Sequence, residues 1–141
     1  MVHISTRTWG MIITMTPPVG KTDLARFFDE LRMSHLQESK GFFGVLFDMS
    51  TLGPLHPDLR DHMVSALRLL LQRGMIRSAI CVNNALLVSQ LKRLHAITET
   101  SPGTRFLDAS MTGCRSEAEQ WASNGLEPAN QFEAPSSSAP T

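Results

Sequence analysis

The chain has 141 residues, of which 42% are hydrophobic, and its 13 basic and 13 acidic residues leave no formal net charge. This length suits one domain that buries its own core without metals or disulfides. Because basic and acidic residues are interspersed, the sequence lacks the concentrated positive charge expected of a protein that binds nucleic acid or an anionic membrane. Neither is an expected partner.

The two cysteines, Cys81 and Cys114, do not have the spacing of a disulfide framework. They are therefore interpreted as reduced thiols of a cytoplasmic protein, with Cys81 a packing residue inside an apolar run. No run reaches the roughly 18 apolar residues of a membrane span. The first seven residues contain no apolar segment of signal-peptide length, so the predicted location is the cytoplasm.

The first predicted elements are a β-hairpin and an amphipathic helix. Two short β-prone runs, residues 2–6 and 10–16, flank a turn around Trp9. Pro17-Pro18 ends the second run. Apolar residues at helical spacing then predict a helix over residues 21–33.

Two wholly apolar segments in the middle of the chain predict parallel strands. Residues 42–48 and 77–82 show no alternation of polar and apolar residues, which is typical of strands buried on both faces. Between them an amphipathic pattern predicts a helix over residues 57–73, with Pro57 at its first turn and Gly74 at its end. Strand, helix and strand in this order indicate a parallel βαβ unit.

The same alternation continues to the end of the predicted domain. A third helix follows the capping pair Asn83-Asn84 and is broken by Pro102-Gly103. A last strand is predicted over residues 104–107 and a last helix over 116–123. The predicted fold is α/β, with the order ββαβαβαβα and a central mixed, mostly parallel sheet of four to five strands on which the helices pack.

The composition divides the chain near its end. Residues 1–125 are predicted to form the folded domain. From residue 126 to 141, Pro, Ser and Ala dominate and large apolar residues almost vanish. Such a segment buries too little surface to offset its ordering entropy, so a disordered, dispensable tail is expected.

One tripeptide resembles part of a phosphate-binding loop. Gly20-Lys21-Thr22 lies between a predicted strand and a predicted helix, and Asp48 ends an apolar strand as a magnesium-site carboxylate does. A working phosphate loop needs a further glycine five residues earlier, where this chain has Met15. Pro17-Pro18 also removes backbone donors. Nucleotide hydrolysis is therefore disfavoured, and no cofactor is predicted.

Two histidines and an aspartate near the second helix have a spacing that some metal sites use. His56, Asp58 and His62 cluster before and within the second helix, and Asp58 and His62 have the four-residue spacing that places two ligands on one face. No third ligand is evident, because His35 and His95 are remote in sequence. Both are interpreted as partly exposed helix histidines. No metal site, no catalytic residue and no enzymatic activity are predicted.

Loops that leave the carboxyl ends of parallel strands meet at one edge of the sheet, and that edge is the predicted contact surface. Leu52 and Leu55 are expected to be exposed there, which favours contact with a partner. Asp48 is expected to shape the loop by accepting hydrogen bonds from the turn that follows. The predicted partner-binding residues are Asp48, Ser50, Thr51, Leu52, Leu55, His56, Asp58, Asn83 and Asn84.

Four segments together resemble the STAS superfamily, and more closely its SpoIIAA-like (STAS/SEC14-like) branch. The resemblance spans residues 2–125 and is carried by 45–52, 78–83, 105–107 and 117–121. It implies the fold and a non-enzymatic regulatory or binding role. Anti-sigma-factor antagonists of that superfamily are switched by phosphorylation of a serine at the start of the helix after the Asp-bearing strand. The corresponding residues 55–59 contain no Ser or Thr.

The leading hypothesis is a non-catalytic regulatory or adaptor module that binds a protein partner through the strand-end loops and the start of the second helix. The alternative is a carrier or sensor of a small apolar ligand or lipid, with a pocket between the sheet and the first two helices. The sequence is compatible with a homodimer as well as with a monomer. The residues expected to line that pocket are Phe27, Phe28, Leu31, Leu59 and Met63.

Overall fold

The computed structural model describes residues 1–33 and 41–132, and its central element is a five-stranded mixed sheet. The strands lie side by side in chain order. They are β1 (Val2–Arg7), β2 (Gly10–Met15), β3 (Phe43–Met49), β4 (Met75–Val82) and β5 (Thr104–Asp108). β1 pairs antiparallel with β2, whereas β2, β3, β4 and β5 are parallel. The predicted α/β class and the order ββαβαβαβα are confirmed.

The described residues also form four α-helices: α1 (Lys21–Met33), α2 (Arg60–Arg73), α3 (Ala85–Ile97) and α4 (Cys114–Asn124). A short 3-10 turn, Pro57–Leu59, precedes α2, so the helix predicted over 57–73 is a turn followed by a helix. Within residues 1–33 and 41–132, no helix has both the length and the hydropathy required to cross a membrane. His35 lies outside the described residues.

The helices form two layers of unequal size. Successive right-handed crossovers that advance in one direction place their helices on the same face of a sheet, and α1, α2 and α3 share one core with the strands. α4 packs alone on the opposite face. Along β3, Val45 and Phe47 face the three-helix layer, while Leu46 faces α4. Both faces of β3 are buried, which explains its unbroken apolar sequence.

The pocket predicted between the sheet and the first two helices is filled by the core. Four of the five residues expected to line it are only 1% to 4% exposed and belong to the main hydrophobic cluster: Phe27, Leu31, Leu59 and Met63. Phe28 alone is half-buried at the surface. The prediction of a small-ligand pocket between the sheet and the first two helices is therefore wrong, because these large side chains fill that space.

α4 approaches the sheet very closely at Gly44 of β3. A Cβ atom at this position would overlap the carbonyl oxygen of Ala122 and lie 2.6 Å from its carbonyl carbon. Arg77 of β4 holds the same end of α4, because its guanidinium donates to the carbonyl of Ser123 at 3.2 Å. Glycine is thus the residue that allows this helix to lie against the strand.

A buried polar cluster joins α3 to the neighbouring strands. His95 is only 2% exposed, which contradicts the prediction of a partly exposed helix histidine. Its Nδ1 lies 2.6 Å from Oγ1 of Thr100 and 3.2 Å from Oγ1 of Thr104. Thr104 Oγ1 in turn lies 2.8 Å from Oγ of Ser78. Burial lowers the pKa of His95 to about 4, so the ring is neutral at physiological pH.

Residues that follow α4 contact the domain. Arg105 of β5 donates to Glu127 at 2.6 Å and 3.1 Å, and the backbone N–H of Phe132 donates to the carbonyl of Phe106 at 2.6 Å. The composition predicted a disordered tail from residue 126, yet these contacts attach the described residues 126–132 to β5. Residues 133–141 lie outside the described residues, and the domain boundary at 125 stays a prediction.

Two truncations separate these alternatives. A chain that ends at Phe132 should melt at the temperature of the full chain, because residues 133–141 contain no large apolar side chain. A chain that ends at Gly125 should melt about 4 °C lower, because the contacts of Glu127 and Phe132 are removed. Thermal unfolding followed by circular dichroism measures both. Equal melting temperatures for all three chains would place the boundary at 125.

Candidate functional site

The loop between β3 and α2 leaves the sheet at the predicted edge. Met49 pairs with Val82, so β3 and β4 end side by side and their following loops are neighbours. Asn83 is exposed at this edge, while the side chain of Asn84 accepts a 2.9 Å hydrogen bond from a backbone N–H in the first turn of α3. Asn84 is thus a helix cap, as its sequence context predicted.

Asp48 shapes the start of this loop. Its Oδ1 accepts hydrogen bonds from the backbone N–H of Ser50 at 3.1 Å and from the Ser50 hydroxyl at 2.7 Å. Its Oδ2 accepts a 3.2 Å hydrogen bond from Arg115 of α4. Asp48 therefore faces α4, away from the three-helix layer. The prediction that it accepts hydrogen bonds from the following turn is confirmed.

Two substitutions test this role of Asp48. Asp48→Asn should fold and lose less than about 1 kcal/mol, because the amide oxygen still accepts from Ser50 and the lost pair with Arg115 is partly exposed. Asp48→Ala should lose about 1 to 2 kcal/mol, because the Ser50 N–H is left without this acceptor. Urea unfolding measures both changes. Equal and large losses for the two variants would show that the ion pair with Arg115, which both variants lose, matters more than the hydrogen bonds to Ser50.

The two leucines of the loop are buried, contrary to the prediction. Leu52 is 7% exposed and Leu55 is 8% exposed, and both belong to the main core beneath the three helices. The loop folds back over the end of this core, so its apolar residues turn inward. Thr51 stays exposed. Any contact by this loop must therefore use its backbone and polar side chains, together with what lies beside it.

α3 fixes the loop through one side chain. Gln90 donates from Nε2 to the carbonyl of Leu55 at 2.9 Å, and its Oε1 accepts from the N–H of Leu55 at 2.8 Å. This pair of bonds satisfies both backbone groups of Leu55, as a neighbouring strand would. The loop and α3 thereby become the two sides of one rigid groove.

The groove has a volume of about 440 Å³, within the range of small-molecule and side-chain binding sites. One side comes from the loop and the start of α2, and the other from the outer face of α3. The lining residues are Leu55, His56, Pro57, Arg60, Gln90, Arg93, Leu94, Ala96 and Ile97. Of the predicted contact residues, Leu55 and His56 line the groove, whereas Asp48 and Ser50 lie on the α4 side.

Among the described residues, the titratable side chains that line the groove are all basic. Within the same part of the chain, the guanidinium groups of Arg60 and Arg93 make no hydrogen bond or ion pair with another side chain. Asp58, one of the predicted contact residues, has its Oδ2 atom 3.9 Å from Nζ of Lys21 and 3.6 Å from Nδ1 of His56. The groove therefore combines an apolar floor with two uncompensated guanidinium groups.

The structure separates His62 from His56 and Asp58, the other two candidate metal ligands. His56 and Asp58 lie together, and His56 Nδ1 accepts a 3.1 Å hydrogen bond from the Asp58 N–H. His62 instead lines a different cavity, between α1 and α2, with Phe28 and Asp29. Among residues 1–33 and 41–132, no three His, Cys, Asp or Glu side chains are grouped as metal ligands would be.

The tripeptide that resembles a phosphate loop is capped by the protein's own carboxylate. Asp23 accepts a 2.9 Å hydrogen bond from the N–H of Gly20 at the start of α1. An incoming phosphate would have to displace this carboxylate from the helix terminus. The arrangement is that of an ordinary capped helix.

The two cysteines meet beneath α4. Cys81 and Cys114 are both buried free thiols, and their side chains interact electrostatically. This interaction lowers the pKa of Cys114, the first residue of α4, and together with burial it raises the pKa of Cys81. The chemistry of the pair is that of two packed thiols, and neither faces the groove.

Comparisons with protein-family models, with curated proteins and with solved structures gave no match. The structure itself shows an α/β fold whose five-stranded sheet has an antiparallel first pair and is otherwise parallel, which is consistent with the topology of STAS domains.

Sequence reasoning missed the α3 side of the groove. Leu87, Leu91 and Leu94 form the apolar stripe of α3 that packs inward. Leu86 and Ile97, which lie eleven positions apart on the outer face, offered a further signal. They are large apolar residues outside the packed stripe, and they are 56% and 42% exposed.

Proposed function

We propose that this chain is a non-catalytic regulatory or adaptor module that binds a protein partner beside the carboxyl edge of its sheet. Its contact surface is formed by the β3–α2 loop, the start of α2 and the outer face of α3. The groove lined by Arg60, Arg93 and Ile97 is the observation that carries this proposal. The cytoplasm is the proposed location.

The outer face of α3 favours a protein segment as the occupant. Leu86, Gln90, Arg93 and Ile97 follow one another at helical spacing on this face. At 1.5 Å per residue they span about 16 Å, which is the length of three turns of a helix. A helix face of this length beside a groove can receive an extended or helical protein segment.

The resemblance to the SpoIIAA-like branch of the STAS superfamily supports the same proposal. The sheet topology agrees with it, and the branch implies a regulatory or binding role. Residues 55–59, where the antagonists of that superfamily carry the phosphorylated serine, contain no hydroxyl group. We therefore propose a contact surface that works without the phosphorylation switch.

The proposal is tested by mapping a reconstituted complex. Candidate partners captured with the full chain are purified, and amide hydrogen exchange is measured with and without each one. Binding should slow exchange in residues 50–59 and 85–97 and leave α4 unchanged. Ile97→Asp should abolish binding, whereas Leu71→Asp should not, because Leu71 is equally exposed but lies at the far end of α2. Protection confined to the β1–β2 hairpin or to α4 would disprove the proposal.

The groove volume also favours a second candidate, a carrier or sensor of a small apolar ligand. This site replaces the pocket predicted from Phe27 and its neighbours, which the core fills. Native mass spectrometry of the freshly purified protein separates the two candidates. A retained small mass supports the carrier, and a clean apo mass supports the adaptor. The same spectra show whether the chain forms a homodimer.

A further inference from the structure

The charge of the groove restricts the chemistry of its occupant. Arg60 begins α2 and Arg93 lies opposite on α3, and both line the groove. His56 is the third titratable group there among the described residues, none of which contributes a carboxylate to the lining. Asp58, which follows Pro57 in the chain, is paired with Lys21 and His56. Two guanidinium groups without an acidic partner attract carboxylates, which they bind through paired N–H donors.

The floor of the groove requires an apolar group beside that charge. Leu55, Leu94, Ala96 and Ile97 are apolar residues that line the groove together with the two arginines. An occupant that fits both features carries an apolar side chain flanked by negative charge. Polar groups fix the orientation of such an occupant, and apolar burial supplies most of its affinity.

We infer that the groove binds an acidic segment of a protein partner, in which a large apolar side chain inserts between Arg60 and Arg93 while neighbouring carboxylates pair with them. This inference rests on the proposed function and adds the class of the partner. The outer face of α3 continues past the groove to Leu86, which gives a segment further apolar contact that a small carboxylate does not reach. Protein segments are therefore favoured over small molecules.

Three matched peptides test the inference. Each has twelve residues with leucine at helical spacing, and the positions between the leucines carry glutamate, glutamine or lysine. Each peptide is titrated into the isotope-labelled full chain, and amide chemical shifts are followed. The glutamate peptide should shift the signals of residues 90–97 and bind at least about tenfold more tightly than the glutamine peptide. Its affinity should fall as salt rises from 0.05 to 0.3 M, about the range over which exposed charges become screened.

Charge reversal at the two arginines provides the matched variants. Arg60→Glu and Arg93→Glu should each weaken the glutamate peptide by about tenfold and improve binding of the lysine peptide. Arg68→Glu is the control, because Arg68 is an exposed residue of α2 that does not line the groove. An equal loss of affinity in the control would show that the effect depends only on the net charge of the protein, and it would overturn the inference.

The remaining outcomes separate this inference from the proposed function. Equal binding of the glutamate and glutamine peptides overturns the acidic class, while the groove remains a contact surface. If no peptide shifts the groove but decanoate does, the occupant is a small carboxylate and the inference is wrong. If the reconstituted partner slows exchange in 85–97 without a dependence on Arg60 and Arg93, the function stands and the inference fails. Protection elsewhere in the protein would remove both.

Discussion

Gly44→Ala should reduce the free energy of unfolding by about 3 kcal/mol, because the added methyl group has no space between β3 and α4. The Cβ atom would overlap the carbonyl oxygen of Ala122 and lie 2.6 Å from its carbonyl carbon. Backbone atoms cannot rotate away as a flexible side chain can. Relief of the overlap requires α4 to move off the sheet, and Arg77 holds the end of that helix through the carbonyl of Ser123.

The matched control is Gly53→Ala in the β3–α2 loop. A Cβ atom at Gly53 meets no atom within 4 Å, and its backbone does not need the left-handed conformation. This variant should change stability by no more than about 0.5 kcal/mol. Urea unfolding followed by tryptophan fluorescence reports both variants, because Trp9 and Trp121 both pack in the cluster beneath α4. Comparable midpoints for the two alanine variants would show that α4 is free to move away from β3 at little cost.

The sheet could be predicted because a strand that is buried on both faces needs an unbroken run of apolar residues. Residues 42–48 have no polar residue before Asp48, and a buried strand between two layers of helices requires that pattern. The order of elements followed from the same reasoning, since helical patterns separate the strands. The boundaries were less certain: β4 begins at Met75 and α4 at Cys114, each two residues before the predicted start.

The groove could not be predicted, because it depends on how the loop folds back. Leu52 and Leu55 stand in a loop rich in glycine and proline, and such a sequence does not show whether its leucines face water or the core. The decisive contact is the pair of hydrogen bonds from Gln90 to Leu55, thirty-five residues away in the chain. A single side chain that bonds to both backbone groups of a loop residue produces no periodic pattern in the sequence.

The sequence also failed to indicate the environment of His95. On α3 it follows the packed residues Leu91 and Leu94, so its position on the helix is compatible with either partial exposure or burial. Burial becomes favourable because Thr100 and Thr104 supply hydroxyl partners from beyond the helix. Those partners come from the turn and strand after the helix, and their side chains meet the imidazole only in the folded chain.

His95 should make the protein markedly less stable in mild acid. Its pKa in the folded protein is lowered to about 4 by burial, whereas in the unfolded chain it has the ordinary value of about 6.5. Between these values the unfolded state binds a proton that the folded state does not. Stability therefore falls as the pH is lowered from about 6.5 to about 4, and the loss from this residue amounts to about 3 kcal/mol.

A His95→Gln variant isolates this contribution, because glutamine keeps a polar group beside Thr100 but does not titrate. Free energies of unfolding are measured for both proteins at half-unit steps from pH 7.5 to 4. The variant is expected to be less stable than the parent at pH 7.5, since its fit to the buried site is poorer. The difference should shrink steadily below pH 6.5, as protonation of the unfolded parent removes the advantage of the neutral imidazole. Parallel pH profiles for the two proteins would show that His95 accepts its proton without unfolding, and that the cluster of Ser78, Thr100 and Thr104 tolerates the charged ring.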